Sequence, residues 1–260
     1  MVLSLQAAPE PGTDPPERYT VAFGRLAQYW LPRFRGKIRV DGNALSGTDI
    51  DPVDDLNMPD HLAIPILSGG DIGFSVSPAA LDKVDLLFVA EYWTHQWSGH
   101  ELLQSPETLG DVAFPAGSDL ESRLTLTSLT LDVLGVFRDG PIRAGLALSL
   151  LGTYARLRMD TPTQSSKEKI EEAWWGGGAV FEAHPVRGLF IGGSAKGFSN
   201  FRHPLEGGAG DFRAYAGVEW RMLRLEVGYR AWIHQLEIPD KTLNYFLHGP
   251  YAAIGLAIRF

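Results

Sequence analysis

An antiparallel, up-and-down transmembrane β-barrel of about ten strands is the all-β fold that this sequence predicts, with eight or twelve strands also open. Three observations predict it. Segments of about ten residues alternate between apolar and polar side chains, the period of a strand whose two faces meet different surroundings. Their connections alternate between short turns and longer polar stretches. Leu, Ile, Val and Ala fill one face of the segments, while most ionised residues gather on the other.

The first segment, residues 19–33, has the weakest alternation. Tyr29, Trp30 and Arg33 fit either face, and Pro32 must sit beyond the ladder or at a bulge. It counts as a strand because closure needs an even number. Next, Ile64, Ile66, Ile72, Phe74 and Val76 oppose Asp71 and Ser75, and Val84, Leu86, Phe88, Ala90 and Tyr92 oppose Asp85, Glu91 and His95. Residues 123–138 place Leu129, Leu131, Val133 and Phe137 against Ser128, Thr130, Asp132 and Arg138. A turn at Asp139 and Gly140 leads to Ile142, Ala144, Leu146, Leu148 and Leu150 against Arg143, Ala147, Ser149 and Thr153.

Residues 174–183 and 188–200 are rich in glycine. Trp175, Ala179 and Phe181 oppose Glu182 there, and Leu189 and Ile191 oppose Ser194 and Lys196. The clearest alternation follows in residues 212–222, where Phe212, Ala214, Ala216, Val218, Trp220 and Met222 share one face and Arg213, Tyr215, Gly217, Glu219 and Arg221 the other. After a tight turn near Leu223, Leu225, Val227, Tyr229, Ala231 and Ile233 oppose Arg224, Glu226, Gly228, Arg230, Trp232 and His234. The last segment sets Ala252, Ile254, Leu256, Ile258 and Phe260 against Tyr251, Ala253, Gly255, Ala257 and Arg259.

Short turns are expected at Pro78 to Lys83, Asp139 to Pro141, His184 to Arg187 and Met222 to Leu223. Long loops are expected at Asp41 to Asp60, Ser98 to Ser122, Met159 to Glu172, His203 to Asp211 and Ile238 to Pro250. In outer-membrane barrels short turns face the periplasm, so both termini are expected there. A soluble β-sandwich also alternates, but its strands average five or six residues and its apolar faces meet in a core. Tyr29, Trp30, Tyr92, Trp93, Trp97, Tyr154, Trp174, Trp175 and Trp232 fall toward the long-loop ends, where an interfacial aromatic belt would lie.

Residues 1–18 read as a disordered N-terminal segment or the remnant of a signal peptide, and 19–260 as a single barrel domain. There is no cysteine, which excludes disulfides and thiolate chemistry. The net charge is -8, and the stretch from Asp41 to Asp60 holds six aspartates without a lysine or arginine, so nucleic acid is not an expected partner.

The final YAAIGLAIRF resembles the C-terminal assembly signal of outer-membrane barrels through Ile254, Leu256, Ile258 and Phe260. That resemblance implies the barrel-assembly machinery as a partner. The order QYWLPRFRG, GTDIDPVDDLNM, DLLFVAEYWTHQWSG and VAFPAGSDLESRLTLTSLTLDVLGVF resembles uncharacterised outer-membrane barrels of Gram-negative bacteria, loosely similar to the outer-membrane protein W type. It implies a bacterial outer-membrane location among lipid and lipopolysaccharide, and either passage of small molecules or a structural role. It brings no catalytic residues.

The expected lumen charge network comprises Asp71, Asp85, Glu91, Asp132, Glu182, Lys196, Arg213, Glu219, Arg221, Arg224, Glu226 and Arg230, with Arg25, Arg138, Arg143 and Arg259 on the same side. In a narrow barrel these groups should pair across strands. A selective conduction path is the other reading of the same charges. His61, His95, His100, His203, His234 and His248 map to the loop end, where a His/acid site could serve a hydrolase or lipid-modifying enzyme. No compact ligand spacing such as HExxH occurs, and GTDIDPVDD lacks the glycine and closing glutamate of an EF-hand, so neither cofactor nor metal is expected. The leading expectation is a non-enzymatic barrel giving passive passage to small molecules or holding a structural or surface role. The rim enzyme is the alternative, and the oligomeric state is left open.

Overall fold

The computed structural model describes residues 18–40, 48–50, 69–77, 83–104, 106–109, 111–202, 207–238 and 241–259. Its strands, in chain order, are β1 (Arg18–Trp30), β2 (Arg33–Val40), β3 (Thr48–Ile50), β4 (Gly69–Ser77), β5 (Val84–Leu102), β6 (Glu107–Leu109) and β7 (Val112–Phe114). They continue as β8 (Asp119–Asp139), β9 (Ile142–Asp160), β10 (Ser165–Ala183), β11 (Leu189–Asn200), β12 (Gly207–Trp220), β13 (Leu223–Ile238) and β14 (Lys241–Arg259).

All pairings are antiparallel, and β1 bonds to both β4 and β14, which closes the sheet. Ten strands make the ring, in the order β1, β4, β5, β8, β9, β10, β11, β12, β13, β14. Closure leaves no strand edge to be desolvated in hydrocarbon. β2 prolongs β1 along β14: Trp30 lies opposite Tyr251 and Arg33 opposite His248, in one unbroken register. The irregularity expected at Pro32 lies elsewhere. Leu31 donates its N–H to Pro250 at 3.0 Å, so Pro32 takes the following position, where the nitrogen of an antiparallel strand points away from β14. The register shifts instead between Phe23 and Ala27, and this bulge turns Arg25 into the lumen.

The four expected long loops after Ser98 are shorter than their sequence suggested, because strands occupy most of them. β9 and β10 run to Asp160 and from Ser165, and β13 and β14 run to Ile238 and from Lys241. Between β5 and β8 the chain forms the β6–β7 hairpin, whose Phe114 is fully buried. The expected strand residues Ile64 and Ile66 and nearly all of the acidic loop fall outside the described residues.

β9 shows why the strands are so long. Its outward residues from Ile142 to Leu150 are apolar, with Leu146 and Leu148 73% and 74% exposed, but further along Arg156, Arg158 and Asp160 point outward. Its inward residues change in the opposite sense, from Ser149 to Leu157 and Met159, all buried. β8 and β10 do the same, with Arg123 and Lys167 outward over inward Leu124 and Ile170. A strand of 19 residues is about 60 Å long, whereas the apolar band of a membrane barrel is about 25 Å tall.

The lower storey therefore presents hydrocarbon-compatible side chains outward and ionised ones inward. The upper storey reverses the arrangement, as a protein surrounded by water must. The main hydrophobic core, including Leu124, Leu126, Leu151, Leu157, Trp174, Leu236 and Leu247, fills the upper storey and its boundary.

Candidate functional site

The lower lumen is built by period two alone: each strand sends alternate residues inward, and closure brings strands remote in sequence face to face. At its centre four side chains form a ring. The Arg213 guanidinium touches Glu91 at 2.6 Å and Asp211 at 2.6 Å, while Arg230 touches Glu91 at 2.9 Å and grips Asp211 with two nitrogens at 2.9 and 3.0 Å. Each cation meets both anions. β5, which carries Glu91, and β12, which carries Arg213, stand five places apart by either route round the ten-strand ring. The Glu91–Arg213 bond therefore joins opposite walls, and all four groups are buried.

A second chain of pairs runs below. Arg25, released from the ladder by its bulge, donates its backbone N–H to Asp71 at 2.8 Å and its side chain to Asp71 and Glu226 at 3.0 and 2.9 Å. Arg224 joins Glu226 to Glu182 at 3.0 and 2.7 Å, and Glu182 also meets Arg143 and His184. Tyr251 donates its hydroxyl to Glu226 at 2.6 Å. Lys196 and Ser149 both donate to Asp132, and Arg138 pairs with Asp85 at 2.7 Å. The paired anions are Asp71, Asp85, Glu91, Asp132, Glu182, Asp211 and Glu226. The cations are Arg25, Arg138, Arg143, Lys196, Arg213, Arg224 and Arg230, so among the described residues these pairs set seven against seven.

Ten of the twelve expected residues meet in these pairs, and Arg221 departs from the lumen. Arg221 is exposed on the β12–β13 turn, at φ 56° and with its guanidinium over the Trp220 ring, so it does not enter the lumen. Glu219 is half-buried on the inward face at that end. Asp211 is absent from the expected set because the loop assigned to the preceding residues reaches it, although its two-residue spacing from Arg213 puts both on one face. The side chain of Arg259 lies outside the described residues, as do those of Ile258 and Phe260, whereas Ile254 points outward as expected.

Aromatic rings roof the charge cluster. Trp30, Trp93 and Trp232 are buried, with edge contacts at 5.7 Å between the first two and 5.2 Å between the last two. Arg230 lies 4.8 Å from the Trp30 ring centre and 5.6 Å from that of Trp232. These tryptophans, with Trp97 and Trp174, are inside the barrel rather than on the expected belt. The large cross-section of indole fills a lumen too wide for leucine. Tyr92 and Trp175 do face outward.

The histidines do not form the expected rim cluster either. His95 packs 5.1 Å from Trp30, and His234 lies between Trp174 at 4.7 Å and Tyr245 at 4.9 Å, both buried. Nδ1 of His234 meets the Leu243 carbonyl at 3.1 Å, and among the described residues no carboxylate bonds to either ring, so none orients it as a general base. His100 is exposed and pairs with Asp119 at 2.7 Å. His248 contacts Tyr229 and Phe246. His61 and His203 lie outside the described residues.

A closed antiparallel ring, greasy outside and ion-paired inside through its lower storey, defines the class: an outer-membrane-type β-barrel. Among solved structures the chain is similar to the outer-membrane protease OmpT from Escherichia coli, at 7% identity and a TM-score of 0.52, covering 93% of this chain and 97% of that one. Ail, the attachment invasion locus protein of Yersinia pestis, aligns at 10% identity and a TM-score of 0.35, covering 93% and 99% of the two chains. No family model matches the sequence, and no curated protein matches it.

Proposed function

We propose that the protein is a non-enzymatic barrel of the bacterial outer membrane, with periplasmic termini, a structural or surface role and a lumen that does not conduct. The observation that carries this reading is the Glu91–Arg213 bond between opposite walls, at 2.6 Å. A solute passing this level would have to separate a pair of buried salt bridges at once, and the packed indoles above add a second obstruction. The polar upper exterior supports exposure of that storey to water, where it offers a surface to other molecules. The outward Ile254 on the closing strand β14 supports recognition by the barrel-assembly machinery.

Single-channel recording in planar bilayers tests the proposal. The purified barrel should give no stepwise conductance. Reproducible steps, abolished when the protein is omitted, would overturn it in favour of passage of small molecules.

A further inference from the structure

On the outer wall above the apolar band, cations stand in register on three adjacent strands. Arg123 on β8 is directly opposite Arg158 on β9, which is directly opposite Lys167 on β10; two residues closer to the band, Arg156 faces Lys169. All five are exposed. Like charges opposite one another destabilise a sheet unless something compensates them. Glu121, Asp160 and Glu171 do so for Arg123, Arg158 and Lys169, at 3.2, 2.7 and 3.1 Å. Arg156 donates to the Tyr154 hydroxyl at 2.7 Å and lies 5.5 Å from that ring's centre, and neither it nor Lys167 meets a carboxylate among the described residues. Two uncompensated cations thus lie diagonally across the β9–β10 pair, flanked by Arg158 and Lys169, on a chain whose net charge is -8.

The wall below them is hollow. At Gly152 it lacks a side chain between Leu129 and Ala173, leaving a recess of about 450 Å³ bordered also by Tyr154, Phe201 and Arg202 and, on β10, by Glu171 and Glu172. A larger apolar furrow of about 650 Å³ continues down the same wall past Phe88, Leu131, Leu148 and Trp175. The cations therefore sit where headgroups lie, and the recess and furrow where acyl chains lie.

We propose that this wall binds a phosphorylated glycolipid of the outer leaflet, with phosphate held between Arg156 and Lys167 and an acyl chain seated at Gly152. A guanidinium supplies a fork of donors to phosphate oxygens, and the ammonium adds a point charge. The furrow distinguishes this ligand from a free anion, which would use the cations alone. The inference rests on the orientation proposed above, with the long upper ends of the strands outside the cell.

Co-purification with lipid A in detergent micelles tests it, using diphosphoryl lipid A, its dephosphorylated form and inorganic phosphate as probes. The wild-type barrel should retain the diphosphoryl form, and millimolar phosphate should not displace it. The pair Arg156→Glu and Lys167→Glu should weaken retention about tenfold or more, the scale of one lost charge-assisted hydrogen bond. Gly152→Val should weaken it without altering charge. Unshifted, heat-modifiable gel mobility would show that both variants are folded. Equal retention of the dephosphorylated lipid, undiminished retention by both variants, or displacement by phosphate would overturn the proposal. Orientation is read separately. The native chain has no cysteine, so Thr163→Cys on the β9–β10 turn should label on intact cells with an impermeant maleimide. Absence of labelling would sink the orientation, whatever the lipid result.

Discussion

Replacing Glu91 by glutamine removes one anion from the central quartet while nearly preserving its shape. Glu91 accepts from Arg213 at 2.6 and 2.7 Å and pairs with Arg230 at 2.9 Å, and none of the partners can reach bulk water. Asp211 alone must then hold two buried guanidinium groups. Breaking one buried pair typically costs about 3–5 kcal/mol, and two contacts are weakened here, so Glu91→Gln should lose about 4 kcal/mol. Removing Arg213 in the same chain, as Arg213→Gln, restores neutrality and leaves Asp211 and Arg230 as a two-point pair. The double variant should therefore be more stable than Glu91→Gln alone, with a coupling energy of about 2–3 kcal/mol, in the upper range for contacting residues. Urea titration in phospholipid vesicles, read by tryptophan fluorescence and by gel mobility without boiling, measures both. A loss below about 1 kcal/mol for Glu91→Gln, the scale of an exposed pair, would refute the quartet. So would a double variant whose loss is the plain sum of the two single ones.

Brominated lipid should quench Trp175, so Trp175→Phe should reduce quenching, whereas Trp93→Phe should leave the quenched amplitude unchanged; the opposite outcome would place the lipid inside the ring. Gly176→Ala puts a β-carbon against the Gly197 carbonyl and the Phe198 ring, so urea titration should show a loss of about 1–3 kcal/mol from overpacking. Any hydrolysis of lipid A or peptide by the purified barrel should be absent, and equally so in His95→Ala and His234→Ala. Activity that disappears with either substitution would restore the enzyme reading.

How much was legible in the sequence differs between the two storeys. In the lower one, alternation is a property of each strand by itself, fixed by hydrocarbon on one side and the lumen on the other. Residues 212–220 and 223–230 can therefore be assigned to faces correctly before any partner strand is known. In the upper storey, β9 keeps its period but reverses its sign, from outward Leu150 to outward Arg156 and inward Leu157. Under a fixed expectation of greasy residues outside, such a stretch loses its phase and passes for loop, which is why the expected places of Trp97, Trp174 and the tips of β8 to β10 differ from those observed. Asp211 is lost in the same way, at a strand end that resembles a connection.

Amino-acid order by itself determined the strand period, the tight turns and the set of ionised residues that share an inward face. It did not determine who meets whom. Glu91 and Arg213 are 122 residues apart, and their bond depends on strand number, stagger and closure, which no local pattern encodes. Only the closed ring decides that opposite walls are joined by ion pairs, that indoles roof them, and that the upper wall aligns its cations over a hollow.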